Sequence, residues 1–73
     1  MARQFTAIIE REDEGYVATC PELDIGSQGD TVAEARANLQ EAMELFLESA
    51  SPDEIARRLA GEIYVTQIEV AGA

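Results

Sequence analysis

The chain has 73 residues, of which 15 are acidic and five are basic, giving a formal net charge of −10. This length predicts one small domain with a thin core, and the negative charge disfavours direct binding to nucleic acid. The sequence contains no apolar run of about 18 residues, so no membrane span is predicted. The chain has no histidine and one cysteine, which excludes Ser-His and Cys-His nucleophilic sites and indicates a reducing, cytoplasmic location.

The N-terminal part predicts three short strands. Residues 4–11 alternate in polarity, residues 12–15 form a polar turn that ends in glycine, and residues 16–20 return as a second strand. Proline follows, so the strand ends there, and residues 23–28 can form a third strand at an edge of the sheet. The predicted cross-strand pairs of the hairpin are Ile9 with Ala18, Ala7 with Cys20, Ile8 with Thr19 and Glu10 with Val17.

The middle of the chain carries two helix start signals. Thr31 and Glu34 form a capping box, which predicts a helix over residues 32–49 with an apolar stripe on one side. Pro52 follows a serine cap and opens a second, shorter helix, which ends at Gly61.

These elements predict an α+β fold, a small β-β-β-α-(short α)-β domain that takes up residues 1–73. It consists of a three-stranded antiparallel meander plus a final strand over residues 62–70, with the helices on one face of the sheet. Ile8 and Val17 then lie on the face that no helix covers, and an apolar patch left over on a small acidic domain predicts an interface.

Two further residues are candidates for contact with a partner or a second copy. Tyr16 either packs its ring on the edge of the core or presents its hydroxyl to a partner. Leu45 lies outside the apolar arc of the long helix, so it packs on the short helix or makes an intermolecular contact.

The acidic residues do not predict a catalytic site. A metal-dependent nuclease needs several carboxylates that converge on paired ions. Glu41 and Glu44 point away from the sheet, so they cannot converge with Glu10 on the first strand and Glu69 near the end of the chain. We therefore expect no enzyme, and no catalytic, metal-binding or cofactor-binding residues.

The stretch from Tyr16 to Ala42 resembles HicB-type antitoxins in the order and spacing of its residues. The matching positions are Tyr16, Val17, Pro21, Glu22, Leu23, Gly29, Asp30, Thr31, Glu34, Ala35, Asn38, Glu41 and Ala42. The resemblance implies a truncated RNase H-like domain without catalytic carboxylates, which binds and blocks a small basic messenger-RNA interferase, a HicA-like toxin. Since the sequence stops at Ala73, we expect a short stand-alone member without a DNA-binding module.

Within this motif we expect a structural role, in a turn and a helix cap, for seven positions: Pro21, Leu23, Gly29, Asp30, Thr31, Glu34 and Ala35. Two hypotheses for the function remain. The first is an antitoxin-type domain that occludes a basic toxin. The second is a stand-alone structural or regulatory module without a toxin partner, which forms a homo-oligomer of two or more copies through a sheet edge or through the Ile8/Val17 face.

Overall fold

The computed structural model describes residues 3–72 of the expected 1–73 domain, and residues 1, 2 and 73 lie outside the described residues. The chain forms three strands followed by two helices, an α+β fold, and the strands make one antiparallel sheet in the order β1-β2-β3. The elements are β1 (Ile8–Glu12), β2 (Gly15–Cys20), β3 (Ile25–Gly29), α1 (Val32–Ser49) and α2 (Pro52–Leu59).

The hairpin between β1 and β2 has the predicted register. The predicted pairs that involve Ile8, Ile9 and Glu10 are present, and the ladder continues to Glu12 opposite Gly15. The ladder does not reach the predicted pair of Ala7 with Cys20, so β1 begins four residues later than expected. The physical reason is that the backbone N–H of Thr6 donates to a side-chain carboxylate instead of to a strand.

The third strand begins later than predicted because Leu23 belongs to the core. Leu23 is fully buried in the loop before β3, and Asp24 after it has a positive φ of 55°. The chain reverses here and then pairs antiparallel with β2 from Ile25 to Gly29.

The long helix α1 covers the face of the sheet that carries Ala18 and Cys20, and Leu59 of α2 packs against the same core. The prediction for α1 is confirmed at both ends, and the prediction for α2 is confirmed at its serine cap and at Pro52. The buried core is small, as the chain length predicts, and is formed by Ala18, Cys20, Leu23, Ala35 and Leu39. Side chains packed around these five are Phe5, Ile9, Tyr16, Ile25, Met43, Phe46 and Leu59.

The structure does not show the predicted final strand. Residues 62–70 pair with no strand in the described part of the chain, and every one of them is exposed. High β propensity alone does not make a strand, because a strand also needs a partner for its backbone groups. No partner is paired with this segment within residues 3–72.

Candidate protein interface

A close approach between β3 and α1 fixes the position of the long helix on the sheet. A Cβ atom on Gly29 would lie 2.5 Å from the backbone nitrogen of Ala35 and 2.8 Å from the carbonyl carbon of Glu34. One turn further along the helix, the Asn38 side-chain amide donates to the Gln28 carbonyl at 2.8 Å. Only glycine leaves room for the helix here, which explains why the motif has a glycine at position 29.

The start of α1 is capped on both sides, as the sequence predicts. The Glu34 backbone N–H donates to the Thr31 hydroxyl oxygen at 3.0 Å. The Glu34 carboxylate accepts in return from the Asp30 backbone N–H at 2.9 Å. The first bond satisfies a donor of the helix start that would otherwise be unpaired, and the second holds the Glu34 carboxylate beside the backbone of Asp30.

The Glu22 carboxylate ties the N-terminal segment to the loop before β3. It accepts from the Thr6 hydroxyl at 2.7 Å, from the Thr6 N–H at 3.1 and 3.2 Å, and from the Cys20 thiol at 3.5 Å. Burial alone would raise the pKa of Glu22 and is the largest single influence. The hydrogen bonds from Thr6, from the N–H of Glu22 and from Cys20 outweigh it and lower that pKa. Burial raises the pKa of the Cys20 thiol.

Five carboxylates and no basic residue line an open hollow of about 630 Å³ at one end of the sheet. Pairing of Glu12 with Gly15 and of Tyr16 with Gly29 places the β1–β2 turn beside the start of α1. The carboxylates, which we call the acidic hollow, are those of Glu12, Asp13, Glu14, Asp30 and Glu34. In the sequence, the turn and the helix cap are two separate features. The hairpin register was the signal that could have joined them.

The four predicted interface residues lie on three different surfaces. Ile8 and Val17 occupy diagonal positions on the helix-free face, where Ile8 is 39% exposed and Val17 is partly buried. Tyr16 lies on the opposite, helix-covered face, where its ring packs against the core with the Arg11 guanidinium 5.7 Å from the ring centre. Leu45 is on α1 and is 55% exposed. The structure therefore does not bring these residues together.

The carboxylates considered for a nuclease centre are also apart. Glu10 lies on the helix-free face of β1, Glu41 and Glu44 are exposed on α1, and Glu69 is exposed beyond α2. Among residues 3–72, no three acidic, histidine or cysteine side chains are arranged to hold a metal ion. Within the same range, no helix is both long and apolar enough to cross a membrane.

The fold and these surfaces define a small acidic α+β domain, and comparison with known proteins gives its family. The chain is 49% identical over 55 residues to a UPF0150 protein of Synechocystis sp.. The matched region covers 73% of this chain and 76% of the relative. It is also 38% identical over 68 residues to a UPF0150 protein of Helicobacter pylori, and this match covers 92% of this chain and 94% of the relative.

A second UPF0150 protein of Synechocystis sp. is 51% identical over 47 residues, which is 62% of this chain and 60% of the relative. The chain therefore belongs to the UPF0150 family. The names of these relatives state the family and no activity. No family model matches the chain, and no solved structure matches it.

Proposed function

We propose that the protein is a non-catalytic, HicB-like antitoxin domain that binds a small basic messenger-RNA interferase in the cytoplasm and occludes its RNA-binding face. UPF0150 is a HicB-like-type family, and the motif resemblance to HicB-type antitoxins points in the same direction. The observation that carries the proposal is the acidic hollow, which is lined by five carboxylates and by no basic residue.

The acidic hollow suits a basic protein surface for electrostatic reasons. With a net charge of −10 on 73 residues, the whole molecule attracts cations. Carboxylates gathered in a concave surface focus that field and speed the encounter with a basic partner at low salt. A ribonuclease that binds RNA through lysine and arginine side chains presents such a surface, so its phosphate-binding groups and the acidic hollow are complementary.

The proposed mechanism is steric and electrostatic occlusion. The antitoxin-type domain occupies the surface on which RNA phosphates would lie, and its carboxylates replace them as partners for the basic side chains. No bond is made or broken. Rigidity matters for this role, because pre-ordered carboxylates bind at a lower entropic cost, and the hydrogen bonds of Thr31 and Glu34 hold the helix end of the hollow in place.

The test uses a small basic ribonuclease encoded beside this protein, with cleavage of a labelled RNA as the readout. Equimolar protein is expected to stop cleavage. In a variant of the β1–β2 turn, Glu12→Gln, Asp13→Asn and Glu14→Gln together weaken inhibition by roughly tenfold at low salt.

The matched control is a variant of α1 with the same change of charge, which replaces Glu41, Glu44 and Glu48 by glutamine. These three side chains are exposed and lie outside the acidic hollow, so inhibition by this variant is expected to stay near the wild-type level. Absence of inhibition by the wild-type protein would refute the proposed function. An equal loss in both variants would show that net charge, and not the acidic hollow, attracts the ribonuclease.

A further inference from the structure

The C-terminal arm, residues 62–70, has the composition of a strand and lies open to solvent. A large exposed apolar surface on a small domain indicates a contact with another polypeptide. Side chains alternate along a strand, so in an added strand Tyr64 and Ile68 would lie on one side of the arm and Val65 on the other. Exposed fractions are 46% for Ile63, 82% for Tyr64, 61% for Val65, 82% for Ile68 and 66% for Val70.

The dimensions of the molecule show that the arm extends away from the body. The radius of gyration is 14.3 Å, and the longest extent is 46 Å. A compact domain of this length has a radius of gyration of about 11 Å. The arm therefore leaves its backbone groups and its apolar side chains without cover from the domain to which it belongs.

The outer edge of β1 is more open to an added strand than the outer edge of β3. On β3, the Gln28 carbonyl already accepts a hydrogen bond from the Asn38 side chain, and Gly29 lies against the backbone of α1, so α1 obstructs this end of the β3 edge. β1 pairs only with β2 within residues 3–72, so its outer edge is unpaired. An unpaired edge strand is a template for strand addition.

An apolar groove of about 760 Å³ runs beside this edge, between the segment before β1 and α1. We call it the β1 groove. Two arginines, Arg3 and Arg36, and one glutamate, Glu44, also line it, so its charged side chains carry a net positive charge. The arm carries two glutamates, at positions 62 and 69. Its apolar lining is formed by Phe5, Ala7, Leu39, Met43, Leu47 and Leu59.

We propose that two copies of this chain exchange their C-terminal arms, each arm adding a strand to the β1 edge of the other copy and filling its β1 groove. The arm and most of the groove lining are apolar, and the negative charge of the arm is opposite to the net charge of the groove. The arm and the groove lining together supply about 20 residues from each chain, which is the size of a standard stable interface. The exchange is symmetric and closed, so the arm and the β1 edge of each copy both gain a partner.

The connection between α2 and the arm favours exchange between copies over folding back onto the same chain. Only Ala60 and Gly61 separate the end of α2 from the arm. The Arg58 guanidinium holds α2 in place, because it donates to the Leu23 carbonyl and lies 4.6 Å from the centre of the Phe46 ring. Short hinges of this kind favour domain swapping.

Sedimentation equilibrium of the full chain over a range of concentrations tests the proposal, without any ribonuclease present, so that it is independent of the proposed function. The wild type is expected to sediment at twice its mass of 7.9 kDa. The arm variant Tyr64→Glu/Ile68→Glu is expected to raise the dissociation constant of the dimer by roughly a hundredfold or more. Both side chains are 82% exposed, so the body of the domain stays folded, as circular dichroism of the same samples will show.

Leu45→Glu is the control, because it also replaces an exposed apolar side chain by glutamate, here one that is 55% exposed on α1. It is expected to leave the dimer intact. A wild-type monomer at tens of micromolar would overturn the proposal and would indicate that the arm folds back onto its own sheet. A dimer that survives the arm variant, or one that only Leu45→Glu dissociates, would also overturn it, since the interface would then lie elsewhere.

Discussion

Replacement of Gly29 by alanine tests the close packing of α1 on β3. The added Cβ would lie 2.5 Å from the Ala35 nitrogen and 3.0 Å from its Cα, where ordinary contact begins at 3.4 Å. Backbone atoms of a helix cannot rotate away as a flexible side chain can, so the helix start must shift by about 0.9 Å. Overpacking of this kind costs about 1–3 kcal/mol, out of a total stability of roughly 4–11 kcal/mol for a chain of this length.

Urea unfolding followed by circular dichroism, at a fixed protein concentration, measures this loss. With a denaturant dependence of about 1 kcal/mol per molar, the midpoint should fall by roughly 1–3 M. Gly26→Ala on the same strand is the control, because its Cβ would meet its nearest atoms at 3.6 Å. It should be neutral or slightly stabilising. Equal midpoints for the Gly29→Ala variant and the wild type would refute the packing argument.

Two more substitutions test the hydrogen bonds that order the loops. Thr31→Ala removes the acceptor for the Glu34 N–H and should lower the free energy of unfolding by about 1 kcal/mol in the same urea experiment; an unchanged value would contradict the cap. Glu22→Gln removes a carboxylate whose pKa is lowered in the folded state. That carboxylate stabilises the fold above the ordinary pKa of glutamate, and its contribution is lost as the pH falls through the lowered pKa. The wild type should therefore be the more stable protein at pH 7, by a margin that shrinks on acidification. A margin that does not change with pH would refute this role of Glu22.

The local elements of the fold could be predicted because their signals lie within a few residues. The capping box around Thr31 defines the start of α1, and the polar turn around Gly15 sets the register that opposes Ile9 to Ala18. Side-chain bonds over longer distances could not be predicted. The Glu22 carboxylate accepts a hydrogen bond from the Thr6 N–H, 16 positions away in the chain, and β1 therefore begins after this segment.

The candidate surfaces were predicted less completely than the fold, because each depends on which elements meet. The helix-free face with Ile8 and Val17 follows from strand alternation, and the structure places both residues there. Successive side chains of a strand point to opposite faces, so the ring of Tyr16 lies on the helix-covered face when Val17 lies on the helix-free face. The acidic hollow joins a turn and a helix cap that lie far apart in sequence, and the final strand depends on a partner that the composition of residues 62–70 does not specify.

Competition between RNA and this protein for the basic ribonuclease tests the central claim most directly. A fluorescently labelled, non-cleavable RNA is bound to the ribonuclease, and its anisotropy is followed while the protein is added. If the protein occludes the RNA-binding face, the anisotropy falls to the value of free RNA near one equivalent, because the protein takes the place of the RNA. A stable complex that contains RNA, ribonuclease and this protein together, with the anisotropy maintained or raised, would contradict occlusion of the RNA-binding face.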